Sequence, residues 1–324
     1  MTIEIVRYQP ALSEAWNAFC ANAVNATFLH SRRFLEYHGD RFLDVSVVLM
    51  HAGSIVGVFP AAQSPADRSL VVSHPGITYG GIVHDGYLCG ARMIEALVRL
   101  CEHYRGSGYD RLRYKAVPHI YQSRPSQDDL YALFRLGARR SRCDLSCTID
   151  LADRAKPSER RRRGLKKALK SVSVVTGTEQ VRALWQVLND NLERKHGAAP
   201  VHSVEEMEQL ITLFPGGIEL FCARIDGQVE AGVVVFKART AWHAQYIAAS
   251  EVAYSVSALD AVFDHATAEA LSAGVRYFDF GTSNECEGTV LNEGLYQYKH
   301  EYGGGGAVHE YYDIDLLGVQ HVCV

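Results

Sequence analysis

The sequence lacks the signatures of zinc-binding, membrane-spanning and strongly basic proteins. Its eight cysteines form no C-x-x-C pair, and the closest two, Cys143 and Cys147, have no histidine at zinc-finger spacing beside them. No apolar run approaches the ~18 residues that a membrane span requires, and a net charge of -4 argues against bulk attraction to nucleic acid or anionic membranes. The opening segment 1–8 resembles a strand rather than a signal peptide. We therefore expect a soluble, cytoplasmic protein with reduced thiols, no metal and no membrane span.

The length and an internal repeat suggest two domains of one kind. A chain of 324 residues with 48% hydrophobic and 22% charged residues suits two globular domains of about 150 residues each. Residues 130–151 and 295–316 align without a gap and share Leu-Tyr at the start and Ile-Asp-Leu at the end. We predict a join near residues 150–157, which gives domains 1–150 and 151–324.

Both halves repeat one order of elements. Turn residues between apolar runs predict hairpins at 47–61 and 220–238. A third strand is predicted in each half, at 76–83 and 241–249, and an amphipathic helix follows each of these strands. Hairpin, strand, helix, strand, helix and strand make a mixed α+β fold rather than a regular alternation of parallel units.

A basic segment follows the predicted join. Residues 154–170 hold nine basic side chains against one acid, Glu159, and Ser158 can cap a helix there. One interpretation is a solvated basic helix at a domain boundary. The other is a phosphate clamp that includes Arg162, Arg163 and Lys166, because guanidinium groups match phosphate oxygens two at a time.

Polar groups are concentrated where a C-terminal strand ends and a helix begins, which is where α/β enzymes keep their chemistry. The candidate bases are Asp279 within Phe-Asp-Phe, Glu285 in the following loop, and His243 on the third strand. Ser283 and Asn284 lie beside Glu285 as hydrogen-bonding groups for a substrate. Each candidate also has a structural interpretation: a capping or ion-paired carboxylate, a solvated loop glutamate, or a strand histidine that only packs.

These residues carry a resemblance to a known family. Phe278-Asp-Phe-Gly, followed by Gly294-Leu-Tyr-Gln-Tyr-Lys-His-Glu-Tyr-Gly-Gly, together with the tandem layout and the Arg-rich helix, resembles the Fem-like branch of the GNAT acyltransferase superfamily. The resemblance covers nearly the whole chain. It implies two tandem GNAT-like domains, each a mixed, mostly antiparallel sheet flanked by helices, and acyl transfer to an amine from acetyl-CoA, a similar thioester or aminoacyl-tRNA.

The resemblance also implies a site. Lys299 matches the lysine of the Fem pattern, preceded by Tyr298 where phenylalanine is commoner. In GNAT-like folds two strands separate to hold the thioester, here 245–249 and 277–281, and a helix N-terminus binds the pyrophosphate. The residues expected to hold the acyl donor are Tyr246, Ala248, Ser255, Val256, Ser257 and Ala258.

The first half is expected to form the other wall of the cleft. Its counterpart of Lys299 is Phe134, and Tyr79 with Gly80 would contact a base or sugar ring, or else form a plain tight turn. The expected reaction transfers an acetyl or similar group from acyl-CoA to the amine of a nucleotide-linked amino sugar for surface polysaccharide. The alternatives are an aminoacyl-tRNA-dependent ligase acting on a peptidoglycan precursor, and a non-catalytic nucleotide-sugar binding protein.

Overall fold

The computed structural model of the chain describes residues 2–318. The chain packs into two compact units: the first comprises residues 2–145, 284–290 and 308–318, and the second comprises residues 146–283 and 291–307. The domain limits 1–150 and 151–324 stay a prediction. Among the described residues, no helix is both long and apolar enough to cross a membrane.

The first unit holds two small groups of strands and four helices. Its helices are α1 (Ser13–Asn22), α2 (Arg32–Glu36), α3 (Ala91–Gly106) and α4 (Asp128–Arg135). Its strands before residue 120 are β1 (Glu4–Arg7), β2 (Val47–His51), β3 (Ser54–Phe59), β4 (Ala62–Gln63), β5 (Leu70–Val72), β6 (Val83–His84) and β7 (Arg111–Lys115). Strands β1, β2, β3 and β6 form an antiparallel sheet in that order. The apolar face of α3 packs into the core of this unit, as its periodicity predicts.

The second unit is built on a mixed sheet. Strand β8 (Arg139–Asp150) enters it from the first unit, and the strands that follow are β9 (Ser173–Thr176), β10 (Ile218–Ile225), β11 (Gln228–Lys237), β12 (Ala241–Ala249) and β13 (Tyr277–Thr282). The sheet order is β8, β13, β12, β11, β10 and β9. Only β12 and β13 pair in parallel within this order. The predicted mixed α+β class, with mostly antiparallel sheets, is confirmed.

Helices cover this sheet, and three further strands complete the described part of the chain. The helices are α5 (Glu159–Ala168), α6 (Val181–His196), α7 (Val204–Leu213), α8 (Glu251–Val256), α9 (Ala258–Ser272) and α10 (Glu293–His300). The remaining strands are β14 (Asn284–Glu285), β15 (Val290–Leu291) and β16 (Gly305–Asp315). Aromatic rings of β13 pack against α9, where Phe263 contacts Phe278 and Phe280. The other face of β13 therefore carries Asp279.

One predicted strand is wrong, and one short helix was not predicted. The predicted strand at 76–83 is wrong except for Val83, because Gly81 takes a left-handed φ of +73° and the buried Lys115 amine binds the carbonyl oxygens of His74 and Ile77. The helix predicted after β12, whose N-terminus was expected near residues 255–258, is α9, and a short helix that was not predicted, α8, precedes it. They meet at Ser257, whose φ of +61° lies in the left-handed region.

Candidate active site

The parallel strands β12 and β13 pair briefly and then separate. Their register joins Ala241 to Tyr277, Trp242 to Phe278 and His243 to Asp279. Beyond that last pair, over residues 244–249 and 280–282, the described strands continue without pairing with each other. The predicted gap is thus confirmed, although 277–279 belong to its paired base.

A bulge in β12 explains why the strands part. Strand β11 pairs with Ala244 and Tyr246 through consecutive residues, Val235 and Val234. Gln245 is therefore an extra residue on β12. An extra residue bends its strand and increases the local twist, which turns the C-terminal half of β12 away from β13.

The last paired residues form a hydrogen-bonded dyad. His243 Nδ1 lies 2.8 Å from Asp279 Oδ2, and Asp279 is fully buried. Its other oxygen accepts hydrogen bonds from Thr148 Oγ1 at 3.0 Å, from the Gly281 amide at 3.1 Å and from Ser146 Oγ. Four donors therefore fix this carboxylate at the base of the gap.

The Lys299 amine holds the end of β13. Its Nζ donates to the carbonyl oxygens of Gly281 at 2.9 Å and Thr282 at 2.7 Å. Burial lowers the pKa of Lys299 to about 8, and the nearby Asp279 carboxylate opposes this shift. The next residue after β13, Ser283, is buried, and its Oγ has no partner in the described chain.

A cavity of about 440 Å³ lies beside the end of β12. This volume is in the range of small-molecule sites. The residues that line it come from α5, the α8–α9 junction and α10, together with Ala249: Arg160, Arg161, Arg163, Gly164, Lys167, Ala253, Tyr254, Ser257, Ala258, Leu259, Asp260 and Tyr298. Four of them are basic and one is acidic. The first turn of α9 contributes backbone N–H groups that have no partner within the helix, so the cavity is suited to an anion.

Close helix packing creates this cavity. Ser158 caps α5 as predicted, accepting the Arg161 amide at 3.2 Å. A Cβ on Gly164 would lie 1.9 Å from Asp260 Oδ2, so only glycine lets α5 pass this close to the start of α9. The left-handed Ser257 then sets the direction in which α9 leaves.

Arg161 is a structural cation within this wall. Its guanidinium donates to Asp260 Oδ1 at 2.9 Å and to Glu301 Oε2 at 3.1 Å. Tyr302 donates to the same Asp260 oxygen at 2.7 Å, and its hydroxyl lies 3.0 Å from that of Tyr298. These contacts balance the acidic charge at the start of α9.

The other cations of the wall are exposed. Lys167 donates to the carbonyl oxygen of Ser255 at 2.5 Å, Arg163 contacts that of Glu159 at 3.3 Å, and Arg160 lies 3.9 Å from Glu301. These contacts involve neutral carbonyls or a long ion pair. The three side chains are therefore placed to meet an anionic ligand.

The residues predicted to hold an acyl donor fall in three places. Ser257 and Ala258 line the cavity, and Ser255 and Val256 form the adjacent last turn of α8. Tyr246 bonds to His202 Nδ1 at 2.5 Å on the side of α6. Ala248 is buried in β12 opposite Gly232, and its neighbour Ala249 lines the cavity.

The residues predicted to bind the substrate in the second unit are also divided. Arg163 and Tyr298 line the cavity, and Arg162 and Lys166 are exposed outside it. Arg162 pairs with Glu159 and borders a separate, smaller cleft. Arg161, Gly164 and Asp260 were not predicted as site residues from the sequence. A glycine within a basic helix was the one available signal of the close packing.

The remaining predicted residues belong to the first unit. Tyr79 is buried, with its ring centroid 4.4 Å from that of Tyr121. A Cβ on Gly80 would lie 2.3 Å from the Ser73 carbonyl oxygen, so Gly80 permits close backbone packing. Asn284 Oδ1 accepts the Leu145 amide at 2.6 Å, and Glu285 is exposed on β14. In residues 2–318 no cluster of His, Cys, Asp or Glu is arranged to hold a metal.

Comparison with known proteins identifies the fold. Residues 153–300 match the acetyltransferase (GNAT) domain, and a search of curated proteins found no match. FemX has a similar structure, with a TM-score of 0.69, 12% identity, and coverage of 96% of this chain and 97% of FemX. L-PGS from Bacillus licheniformis has a TM-score of 0.63 and 12% identity, with coverage of 95% of this chain and 91% of L-PGS. A tandem GNAT protein from the clavulanic acid biosynthesis pathway has a TM-score of 0.54 and 14% identity, with coverage of 97% of this chain and 98% of that protein.

These findings confirm the resemblance stated from the sequence. The GNAT match spans the unit that contains the strand gap and the cavity. The fold is that of tandem GNAT proteins and of FemX.

Proposed function

Because residues 153–300 match the GNAT domain, we propose that this chain transfers an acetyl or similar acyl group from acyl-CoA to an amine. The observation that carries the proposal is the gap between β12 and β13, which runs toward a cationic cavity. Ala249 ends the unpaired segment of β12 and also lines the cavity. A donor that is anionic at one end and reactive at the other fits this arrangement.

The donor would bind with its pyrophosphate at the start of α9. The amides of Ala258 and Leu259 would face the phosphate oxygens, with Arg160, Arg163 and Lys167 opposite. The pantetheine arm, which carries amide groups, would lie along the unpaired edge of β12. Its thioester would then reach the fork at His243 and Asp279.

Tyr298 would contact the donor within the cavity. Its ring lines the cavity, and its hydroxyl lies 3.0 Å from that of Tyr302. Burial raises the pKa of Tyr298, so the hydroxyl is protonated at neutral pH. As the amine nitrogen bonds to the acyl carbon and loses a proton, the carbon–sulfur bond breaks and the leaving thiolate takes a proton from water.

The acceptor that we propose is the amine of a nucleotide-linked amino sugar. The reaction would take place in the cytoplasm, and the product would be used to make surface polysaccharide. This part of the proposal rests on the Fem-like resemblance.

A second candidate is an aminoacyl-tRNA donor with a peptidoglycan precursor as acceptor. The observation that favours it is the continuation of the basic row of α5 beyond the cavity, at Arg162, Lys166 and Lys170, which are exposed. A longer row of cations suits a polynucleotide backbone better than a single diphosphate. The fold of this chain is similar to that of FemX, and the Fem-like resemblance implies aminoacyl-tRNA as the donor of some members.

Calorimetric titration of the whole protein with acetyl-CoA, and separately with aminoacyl-tRNA, tests the proposal. Arg163→Ala with Lys167→Ala removes two cations of the cavity, and Arg162→Ala with Lys166→Ala removes two outside it. Each lost charge-assisted contact costs about 1.5–3 kcal/mol, or at least tenfold in affinity. We expect the cavity pair to weaken acetyl-CoA binding at least tenfold and the outer pair to leave it unchanged.

The other outcomes identify the alternatives. If only aminoacyl-tRNA binds, and Arg162→Ala with Lys166→Ala reduces both its affinity and its salt dependence, the donor is aminoacyl-tRNA. If the protein binds a nucleotide sugar but releases no CoA thiol in its presence, the chain is a binding protein. Equal acetyl-CoA affinity in wild type and in the cavity pair contradicts the proposed phosphate site.

A further inference from the structure

The buried histidines of this chain differ in how they use their ring nitrogens. His30 contacts the Thr27 amide through Nδ1 at 3.0 Å and the Gly80 carbonyl through Nε2 at 3.3 Å. His38 uses both nitrogens on the Leu35 and Gly76 carbonyls, each at 3.1 Å. Histidines of this kind serve packing, because both nitrogens are already occupied by the backbone.

His243 uses one nitrogen only. Nδ1 bonds to Asp279, whereas Nε2 has no hydrogen-bond partner among residues 2–318. The side chain is 14% exposed, so water or a substrate can reach it. Its residue is also the last of β12 to pair with β13, which places the ring at the fork.

The surroundings of Asp279 determine which nitrogen carries the proton. Ser146, Thr148 and the Gly281 amide all donate to its oxygens, and the Lys299 ammonium lies nearby. These groups favour the ionised carboxylate, which only accepts hydrogen bonds. In the neutral ring, Nδ1 therefore carries the proton and Nε2 presents its lone pair.

The backbone leaves room beside that lone pair. A Cβ on Gly281 would lie 3.3 Å from His243 Cε1 and 3.9 Å from Nε2, so this edge of the ring faces the unpaired part of β13. Gly281 has a φ of +76°, a conformation that favours glycine. A small side chain there would crowd the edge of the ring that carries Nε2.

From these contacts we infer that His243 is the general base of the acyl transfer and that Asp279 is its positioning residue. The inference rests on the proposed function. In the step, the amine nitrogen bonds to the acyl carbon, its proton moves to Nε2, and the carbon–sulfur bond breaks. The thiolate leaves and takes a proton from water, and the imidazolium, stabilised by Asp279, returns its proton to water.

Acyl transfer by the whole protein tests the assignment to His243. Removal of a general base typically costs 10²–10⁴-fold in rate. We expect His243→Ala to lower kcat within that range, to bind acetyl-CoA as the wild type does, and to regain activity with added imidazole. His265→Ala, a partly exposed histidine on α9, is the matched control and should keep the wild-type rate.

A spectroscopic measurement tests Asp279 without substrate. In the ¹⁵N spectrum of the histidine rings, the wild type should show His243 with a proton on Nδ1 and none on Nε2. Asp279→Asn should change this pattern and lower kcat more than it raises KM. An unchanged tautomer in Asp279→Asn would overturn the positioning role.

The outcomes separate the two proposals. A wild-type rate in a folded His243→Ala variant, or a loss of rate that imidazole does not restore, overturns the assignment of the base. If the wild type neither binds acetyl-CoA nor transfers an acyl group, the proposed function fails, whatever the spectrum shows.

Discussion

The amine of Lys299 contacts the backbone of β13 rather than the cavity. It binds the carbonyl oxygens of Gly281 and Thr282, both at the end of the strand that forms one side of the gap. The role in catalysis expected from the Fem pattern stays a prediction. The contacts give Lys299 a positioning role for Gly281, beside the His243 ring.

The buried Lys299 amine predicts how stability depends on pH. The pKa of Lys299 is lowered from 10.5 to about 8. Between these values the unfolded chain holds the proton and the folded chain does not, so the free energy of unfolding should rise with pH, by up to about 1.4 kcal/mol per unit. Lys299→Met removes this contribution, which urea unfolding at pH 8 to 10 would measure.

An exposed lysine provides the control for that measurement. Lys166 lies on the outer face of α5, and Lys166→Met should retain the wild-type slope. Parallel slopes for the wild type and Lys299→Met between pH 8 and 10 would contradict the lowered pKa.

The types of the site residues could be predicted from the sequence, but their pairing could not. His243 and Asp279 are 36 positions apart, and only the parallel register of β12 and β13 makes them neighbours. The spacing of residues within one strand does not determine which residues of a neighbouring strand lie opposite them. Likewise, the number of basic residues on α5 did not show that Arg161 forms ion pairs with Asp260 and Glu301.

At the level of elements, the sequence predicts what local patterns control. Both hairpins lie where turn residues separate apolar runs, at β2–β3 and β10–β11. The strand predicted at 76–83 failed because a tertiary contact, the Lys115 amine on two loop carbonyls, determines that backbone. The start of α9 agrees with the prediction, but the short helix α8 before it was missed, because serine, unlike glycine, gives no signal for the left-handed conformation that separates the two helices.

The packing of α5 on α9 predicts a large effect of one methyl group. Asp260 is held by Arg161 and Tyr302, so its carboxylate cannot move away from a Cβ on Gly164. We expect Gly164→Ala to lower the free energy of unfolding by about 1–3 kcal/mol, as overpacking does. It should also weaken acetyl-CoA binding, because α5 carries the cations of the cavity.

Another helical glycine is the matched control. Gly294 in α10 has only the Asn292 side chain near its missing Cβ, at 3.8 Å. Gly294→Ala should be neutral or stabilising by up to about 1 kcal/mol. Thermal unfolding and calorimetry of both variants make the comparison, and equal behaviour of the two would refute the close-packing argument.

At the level of the whole molecule, the repeat predicts two similar halves but not how the chain is shared between them. The alignment of 130–151 with 295–316 matches α4 and β8 with α10 and β16. The end of β16, however, belongs to the first unit, where Tyr311–Asp315 pair with Lys115–Arg111 of β7. Sequence patterns show that β16 is a strand. Its pairing with β7 depends on contacts between residues about 200 positions apart in the chain.

This return of the chain predicts that residues 1–150 will not fold alone. Without β16, the strand β7 loses its antiparallel partner, and Arg113 loses the Asp313 carboxylate that it contacts at 2.8 and 2.9 Å. The core also loses Ile314 and Leu316, both buried, at about 1.5–3 kcal/mol each. Fragment 1–150 should therefore show no cooperative urea transition by circular dichroism. The same fragment joined by a flexible linker to residues 305–318 should regain one, and a cooperative transition in the shorter fragment would show that β16 is dispensable.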